Sequence, residues 1–226
     1  LTGVITTVAG NGTNTFSGDG GPAVDAGLAG PLGIVVNPAG DIFFGAYDGN
    51  RVRKIEASTG IIRTVAGTGS SFGGLGDGGP AISASLYHPY AVALDSSGNL
   101  FIADTHNQRI RRVDAVTGII TTVAGGYNGR TGGYRGDGGP ATDATLNTPI
   151  GVFVDGSGNI LISDMVNHRI RRVDAGTHII TSVAGTGTPG FGGDGGPAQS
   201  AVLAGPMGLV GDLFGNLFFS DSGNFR

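Results

Sequence analysis

The amino-acid sequence predicts an all-β fold built from repeated four-stranded antiparallel units. The phrase Gly-Asp-Gly-Gly-Pro-Ala occurs four times at intervals of 58, 60 and 57 residues, and its aspartates are Asp19, Asp77, Asp137 and Asp194. A second proline lies nine residues beyond each proline of that phrase, at Pro31, Pro89, Pro149 and Pro206. Val-Ala-Gly recurs with the same spacing, beginning at Val8, Val65, Val123 and Val183. Markers that keep one common period indicate internal structural repeats.

Composition supports the same fold class. Glycine occupies 46 of 226 positions without a three-residue period, which suits a fold with many turns at positive φ. A net charge of −4 speaks against a general nucleic-acid binder, which is usually basic. The sequence contains no cysteine and no apolar run long enough to span a membrane. Lys54 is the single lysine among 13 basic residues, and with the Ser/Thr/Gly/Asn-rich composition this leads us to expect a secreted bacterial protein, extracellular or periplasmic.

Each repeat unit is expected to contain four short strands. In the second unit the strand-like runs are Tyr90–Asp95, Leu100–Ala103, Arg109–Val113 and Ile119–Ala124, separated by segments rich in turn residues. Four strands at a fixed period are the signature of a β-propeller blade. After each Gly-Gly-Pro-Ala segment, small apolar residues and a leucine predict one helical turn packed against the blade edge, since proline is tolerated in a first helical turn.

The repeats divide the sequence into four units of one propeller domain or fragment, 1–226. The units are expected at approximately 10–67, 68–125, 126–185 and 186–226, preceded by an N-terminal strand at 4–9. That strand matches the fourth strand of a blade, and the last unit stops within its third strand. Two arrangements stay open: a closed four-bladed ring that the N-terminal strand completes, or part of a six-bladed ring, which we favour.

Residues 100–114 read Leu-Phe-Ile-Ala-Asp-Thr-His-Asn-Gln-Arg-Ile-Arg-Arg-Val-Asp, and this segment closely resembles the NHL repeat. Similar segments recur at 160–174 and, cut short, at 217–226. The Gly-Asp-Gly-Gly-Pro-Ala linker resembles that of bacterial long-repeat NHL proteins and of the teneurin NHL propeller. The resemblance implies an NHL-type β-propeller, a family in which six blades are usual. The first blade departs from the pattern, because Ala46 replaces the aspartate found at 104, 164 and 221, and Asn37 replaces that found at 95, 155 and 212.

Binding residues are expected on one face of the propeller. With strands running alternately up and down, the loop between strands two and three (the 2–3 loop) and the blade-to-blade connection emerge together on what we term the loop face. The candidate binding residues there are Phe16, Phe72, Tyr127, Tyr134, Phe191, His106 and His168. We therefore expect a non-catalytic module that binds a protein or a glycan on this face. Self-association is compatible with an incomplete ring.

Recurring polar residues are expected to have structural roles. The four aspartates Asp19, Asp77, Asp137 and Asp194 would suit calcium, but no Asp-x-Asp-x-Asp pattern supplies the six to eight oxygens that calcium requires. Carboxylates that accept backbone N–H bonds in glycine-rich turns explain them better. A second polar set could form a binding ring, or hold the 2–3 loop and bridge blades, which we favour; it comprises Asp104, Asn107, Arg109, Asp164, Asn167, Arg169 and Asp221. The arginine-rich third strands are expected to form a solvated, salt-bridged rim rather than an RNA surface.

Enzymatic functions find less support. Some NHL-like propellers, such as peptide-amidating lyases, hold a metal with histidines from several blades, and the resemblance would imply a similar axial cluster. His88, His106, His168 and His178 occupy different positions within their blades, whereas zinc needs three or four converging ligands. No thiol nucleophile or Gly-x-Ser-x-Gly motif is present. We predict no cofactor and no metal. The alternatives that stay open are a lyase- or hydrolase-like propeller whose metal site lies partly outside this sequence, and RNA binding.

Overall fold

The computed structural model describes residues 3–226, which form an all-β chain of consecutive antiparallel sheets. Blade one contains β1 (Pro31–Val36), β2 (Ile42–Ala46), β3 (Arg51–Ile55) and β4 (Ile62–Ala66). Blade two contains β5 (Pro89–Leu94), β6 (Leu100–Asp104), β7 (Arg109–Val113) and β8 (Ile120–Gly125). Blade three contains β9 (Pro149–Val154), β10 (Ile160–Asp164), β11 (Arg169–Val173) and β12 (Ile180–Ala184). Blade four contributes β13 (Pro206–Gly211) and β14 (Leu217–Asp221). The predicted strands of unit two are confirmed to within about one residue at each end.

The predicted helical turns are present as short 3-10 turns. Four follow the repeated prolines, at Ala23–Asp25, Ala81–Ser83, Ala141–Asp143 and Ala198–Ser200. Three others lie in the 2–3 loops, at Thr105–Asn107, Met165–Asn167 and Ser222–Asn224. Ala84 and Leu86 beside the second turn are fully buried, as are their counterparts Ala144 and Leu146. These two turns therefore anchor their connections in the core, as the apolar spacing predicted, whereas the turn at Ala198–Ser200 has no buried residue.

The turn between strands one and two has the same hydrogen bonds in blades one and two, although its residues differ. In blade two the Asp95 carboxylate accepts the backbone N–H of Asn99 at 2.9 Å and its side-chain amide at 2.7 Å. In blade one the residue types are exchanged: Asn37 accepts the backbone N–H of Asp41 at 2.8 Å and donates to the Asp41 carboxylate at 3.1 Å. Because acid and amide are exchanged together, blade one retains the turn despite lacking the usual aspartate at position 37.

The first strands of successive blades contact one another and form the inner layer of the assembly. A methyl group added at Gly33 would lie 2.5 Å from the Ala91 Cα atom of the next blade. At Gly151 it would lie within van der Waals overlap of the Met207 carbonyl oxygen. Only glycine permits backbones to approach this closely. The convergence of the first strands defines the inner edge of the loop face.

Neighbouring blades pack apolar side chains face to face. Val92 of β5 shares a buried cluster with Phe43 of β2, and Val152 of β9 shares another with Phe101 of β6. We call the surface that carries Val92 and its repeat equivalents the leading face of a blade. The opposite surface, which carries Phe43 and Phe101, is the trailing face. Each internal junction thus joins one trailing face to one leading face.

The sheets of the described chain do not close into a ring. The leading face of blade one leaves Ile34 68% exposed, whereas its equivalent Val92 is 6% exposed. The trailing face of blade four leaves Phe218 57% exposed, whereas its equivalent Phe101 is 5% exposed. The prediction of a strand at 4–9 is wrong for this structure, in which these residues are not part of any sheet. A strand requires hydrogen-bonding partners along its edge, and blade four offers none beside this segment.

Candidate interaction face

Hydrogen bonds hold the 2–3 loop of each blade beside the end of the preceding connection. The Asp104 carboxylate accepts the backbone N–H of Tyr87 at 2.7 Å, and the backbone N–H of His106 donates to the Tyr87 carbonyl at 3.1 Å. Equivalent bonds join Asp164 to the backbone N–H of Asn147 and Asp221 to that of Ala204, both at 2.7 Å. These bonds bring the loops that were expected to form the loop face to one edge of the sheets.

A buried polar network lies beneath the loop face in blade two. Asp104 accepts a hydrogen bond from Asn107 at 2.8 Å and forms an ion pair with Arg111 at 3.1 Å. The same guanidinium binds Asp77 of the repeated glycine-rich phrase at 2.8 Å. Arg111 therefore joins the connection, the third strand and the 2–3 loop through one side chain. Burial raises the pKa of Asp104, against the opposing effects of its hydrogen bonds and of Arg111.

Blade three repeats this network. Arg171 lies 2.6 Å from Asp137 and 3.5 Å from Asp164, and Asn167 donates to Asp164 at 2.8 Å. Burial raises the pKa of Asp164 to about 6. The expectation that these aspartates accept backbone N–H bonds of their own turn is therefore wrong for Asp77 and Asp137, whose carboxylates bind third-strand arginines and the hydroxyl of Thr122 or the backbone N–H of Ser182 on the fourth strand.

Blade one contains a reduced form of the network. Ala46 removes the loop carboxylate, and Gly49 stands where Asn107 and Asn167 stand in the next blades. Arg53 keeps its ion pair with Asp19 at 2.8 Å but donates its other terminal nitrogen to the Gly27 carbonyl at 3.2 Å. The departure noticed at position 46 is therefore accompanied by a second one at position 49, and at that nitrogen Arg53 keeps only the carbonyl contact that Arg171 also makes, to the Thr145 carbonyl at 2.9 Å.

The expectation of a solvated arginine rim is wrong for the central arginine of each third strand. Arg53, Arg111 and Arg171 are fully buried, because the glycine-rich connection folds over them. Arg112 and Arg172, one residue further on, are partly exposed and pair with Asp114 and Asp174 at 3.1 and 3.0 Å. The basic residues are thus mostly engaged within the protein, which leaves little free positive surface.

In blades one and three the first arginine of the third strand contacts an aromatic ring, and so does Arg226 at the equivalent position of blade four. Arg51 lies 3.7 Å from the centroid of Phe16, Arg169 lies 4.3 Å from that of Tyr134, and Arg226 lies 3.7 Å from that of Phe191. These distances are those of cation–π contacts. In blade two Gly74 occupies the aromatic position, and Arg109 keeps only the backbone contact that the other blades share: it donates to the Gly126 carbonyl at 3.1 Å, as Arg51 donates to the Thr68 carbonyl at 2.6 Å. Three of the candidate binding aromatics therefore occupy one repeated position, each supported by its own arginine.

The other two candidate aromatics differ from this pattern. Tyr127 lies in the connection between blades two and three and has the Arg135 guanidinium 3.9 Å from its ring centroid. Phe72, in the connection between blades one and two, is 80% exposed. All five aromatics lie on the glycine-rich connections, but they form separate exposed positions rather than one continuous cluster.

His168 takes part in a contact between blades. Its Nδ1 atom accepts the backbone N–H of Gly205, just before β13, at 3.0 Å. The equivalent residues Asn50 and Gln108 accept the backbone N–H of His88 and Thr148 at 2.8 and 2.6 Å. All three acceptors have positive φ values of 50–58°. The residue before each of these third strands therefore accepts a hydrogen bond from the backbone of the next blade. The sequence did not predict this role for His168.

His106 forms an unexpected pair with His88. Their Nδ1 atoms lie 2.9 Å apart, within hydrogen-bonding distance. Tyr47 of the blade-one loop stacks on His88, with 4.2 Å between centroids and 16° between ring planes. Tyr87 packs edge-on against His106 at 4.9 Å. Burial lowers the pKa of both imidazoles below the usual 6.5, and the neighbouring His106 lowers that of His88 further. In the sequence, the two histidines stand out only because the other repeats have different residues at positions 88 and 106.

Within residues 3–226, no group of three or more histidine, aspartate or glutamate side chains is placed to hold a metal ion. No helix in that range is long and apolar enough to cross a membrane, since the helical elements are single 3-10 turns.

Sequence comparisons relate the chain to NHL-repeat proteins. A family profile for the Teneurin NHL domain matches residues 69–134. The chain is 28% identical to the chloroplastic protein SUPPRESSOR OF QUENCHING 1 of Arabidopsis thaliana, over 97% of this chain and 21% of that protein. It is 30% identical to NHL repeat-containing protein 2 of Homo sapiens over 69% of this chain, and 29% identical to human Teneurin-4 over 70% of it. It spans 22% of the first of those two proteins and 8% of the second.

Structural comparisons show the fold alone, because sequence identities are low. The structure aligns with an auxiliary nutrient binding protein from Bacteroides thetaiotaomicron with a TM-score of 0.62 and 21% identity, over 86% of this chain and 46% of that one. It aligns with a streptogramin B lyase with a TM-score of 0.58 and 15% identity, over 89% of this chain and 51% of that one. Repeated blades, the family profile and the relatives agree, and the chain belongs to the NHL-repeat β-propeller family.

Proposed function

We propose that this chain is a non-catalytic interaction module that binds a protein or a glycan on its loop face. The observation that carries the proposal is the set of exposed aromatic rings on a rigid scaffold. Phe72 is 80% exposed, and Tyr127 and Phe191 are each 51% exposed. Aromatic side chains supply much of the binding energy in known interfaces and are costly to leave in water.

The scaffold supports these rings by fixing the connections that carry them. Arg111 and Arg171 tie the connections of blades two and three to the sheets through Asp77 and Asp137. Arginine stacking fixes the orientation of Tyr134 and Phe191 in the same region. Side chains held in one orientation lose less conformational entropy on binding, so a fixed ring binds more tightly than a mobile one.

Charge and relatives give further support to an interaction role. The buried ion pairs leave few free cations, and the net charge is −4, so a phosphate-rich partner such as RNA is disfavoured. One structural neighbour is named a nutrient binding protein and another a lyase, at 21% and 15% identity. A binding protein and an enzyme thus share this scaffold, so the fold is compatible with a binding role. An extracellular or periplasmic location is part of this proposal, supported by the single lysine and the Ser/Thr/Gly/Asn-rich composition.

The test uses an immobilised glycan array and a displayed random-peptide library as probes. We expect wild-type protein to select members of one of them. Alanine substitution of Phe72, Tyr127 or Phe191 should weaken that binding by about tenfold or more for at least one ring, the size expected at a binding hot spot.

The matched control is Val116→Ala, which removes a more exposed apolar side chain from the turn between β7 and β8. This variant should bind as the wild type does. If the three aromatic variants retain full binding to every selected probe, these exposed rings do not carry the binding and the proposal loses the observation on which it rests.

A further inference from the structure

The ring cluster at the junction of blades one and two forms one patch on the loop face. It consists of Tyr47, Tyr87, His88, Tyr90 and His106, which we call the junction cluster. Ring centroids of contacting pairs are 4.2–6.2 Å apart. All five side chains are partly exposed rather than buried. The cluster therefore presents ring surface and polar atoms to solvent at the inner edge of the loop face.

The fold itself does not require these rings. The position of Tyr47 is held by threonine, methionine and serine in the other blades, at 105, 165 and 222. The position of His88 is held by glycine, threonine and glycine, at 30, 148 and 205. The position of His106 is held by aspartate, valine and glycine, at 48, 166 and 223. The same loops form in the other blades without a ring cluster, so packing of the repeat does not account for it.

The hydrogen bond between the imidazoles determines what their outer nitrogens offer. One Nδ1 atom must carry the shared proton and the other must accept it. In a neutral pair, the ring that donates through Nδ1 has a bare Nε2 acceptor, and the ring that accepts through Nδ1 has an Nε2–H donor. Within the described part of the chain, neither Nε2 atom has a protein partner, and neither is a buried unsatisfied atom. The pair therefore presents one free donor and one free acceptor.

We propose that the junction cluster binds a neutral sugar ring. The hydroxyl groups of a sugar can both donate and accept, which matches the two outer nitrogens. Its C–H faces can pack on the phenol rings of Tyr47 and Tyr90, which meet edge to face at 6.0 Å. The inference rests on the proposed function and narrows it, since it assigns the inner part of the loop face to a glycan.

A charged or extended ligand fits the cluster less well. The Arg130 guanidinium already lies 5.7 Å from the Tyr87 ring centroid, and Asp48 lies on the blade-one side of the cluster. These two charges have opposite signs and leave no strong local field of either sign. A ring ligand without charge loses the least solvation energy on binding there.

The experiment follows the imidazole nitrogens by long-range ¹H–¹⁵N NMR. The first result expected is one histidine of the pair protonated at Nδ1 and the other at Nε2. Titration with methyl glucoside, methyl mannoside, methyl galactoside and N-acetylglucosamine should then shift both sets of signals saturably for at least one sugar. Sorbitol, which has the hydroxyl groups but no ring, should cause no saturable shift.

Two variants make the test specific. Tyr47→Ala should abolish saturation or weaken it by about tenfold or more, the size expected for a stacking aromatic. His178→Asn alters an exposed histidine in the turn between β11 and β12 and should change nothing, since asparagine tolerates the positive φ of 57° there. Thermal unfolding of each variant shows whether it is folded.

The inference is overturned if no sugar shifts the His88 and His106 signals, if sorbitol acts like the sugars, or if folded Tyr47→Ala binds as the wild type does. The protein could instead select peptides but no glycans, with no sugar shifting the His88 and His106 signals. That result would leave the proposed function standing and remove only the sugar site. Saturable sugar shifts with no effect of the outer aromatic variants on any probe would place glycan binding in the junction cluster and remove Phe72, Tyr127 and Phe191 from the binding surface.

Discussion

The Asp77 carboxylate and the Arg111 guanidinium lie 2.8 Å apart, with the arginine side chain fully buried and the aspartate 41% exposed. The contact joins a surface connection to the third strand of blade two. On its inner side the same guanidinium faces Asp104, which is fully buried. One arginine therefore compensates a buried charge and holds the loop above it, so the loop face and the core depend on the same side chain.

Removal of Arg111 is expected to destabilise the protein strongly. Arg111→Leu would leave the buried Asp104 carboxylate without its ionic partner, a loss of about 3–5 kcal/mol in the free energy of unfolding. Arg112→Leu is the matched control, because Arg112 pairs with Asp114 at a partly exposed site where such a pair contributes about 0–1 kcal/mol. Urea unfolding of the two variants measures both values. Equal losses would contradict the assignment of Arg111 to a buried network.

The exchanged residues Asn37 and Asp41 are expected to be energetically coupled. Asn37→Asp would place two carboxylates together where an amide now donates at 3.1 Å, and Asp41→Asn would remove the ion pair with Lys54 at 2.8 Å. The double variant restores the Asp-then-Asn order of blades two to four. It should be more stable than the sum of the single losses implies, by about 0.5–3 kcal/mol, as measured in a double-mutant unfolding cycle. Strict additivity would show that the two positions act independently.

Protonation of the histidine pair is expected to destabilise the fold. Burial holds the pKa of His88 and His106 below 6.5 in the folded state, so the unfolded chain binds protons more readily. Their contribution is fully present above about pH 6.5 and is lost as the pH falls through the lowered folded-state values. His106→Gln should therefore lose less stability than the wild type between about pH 7.5 and about pH 5.

The measurement for the histidine pair is urea unfolding at a series of pH values. The stability that carboxylates such as Asp114 lose in acid is common to the wild type and His106→Gln. It therefore cancels in the difference between their free energies of unfolding. His178→Asn should follow the wild-type curve, because that histidine is exposed. Parallel curves for wild type and His106→Gln would refute the expectation.

The exposed leading and trailing faces are expected to make this polypeptide self-associate. Phe218 and Ile34 occupy positions whose equivalents are buried against a neighbouring blade at each internal junction. A second copy can bring its leading face to the trailing face of blade four, a head-to-tail contact. Sedimentation velocity should show association that increases with concentration and is weakened by Phe218→Asp. Val116→Asp, which changes another exposed apolar residue, should leave it unaltered; monomers at all concentrations would disprove this expectation.

Repetition explains why much of the fold could be predicted from the sequence. Four copies of one phrase fix the blade boundaries, and residues such as Leu86 and Ala84 identify the buried side of the 3-10 turn at every repeat. Comparison between repeats also identified Ala46 as an exception. The same comparison shows Gly49 in place of Asn107 and Asn167, but only the hydrogen bond between Asn107 and Asp104 shows why the two positions depart together.

The candidate site was less predictable because it depends on contacts across blades. His88 and His106 are 18 residues apart at positions that differ within the repeat, and only the fold of the 2–3 loop over the end of the connection brings their Nδ1 atoms together. His168 was expected on the binding face but serves as the acceptor for Gly205 of the next blade. The residue types at these positions differ from blade to blade, so the spacing of the repeats did not reveal either contact.

The sequence by itself determined the strand order, the blade period, the turn positions and the family, because these follow from local spacing and from apolar alternation along the chain. Only the tertiary structure decided which polar residues are buried, as with Arg111, and which rings meet at the junction of blades one and two. Burial and side-chain contact are set by how one blade packs on the next and how the connections fold over the sheets. Residues with the same local pattern can therefore be a solvated pair in one place and a buried network in another.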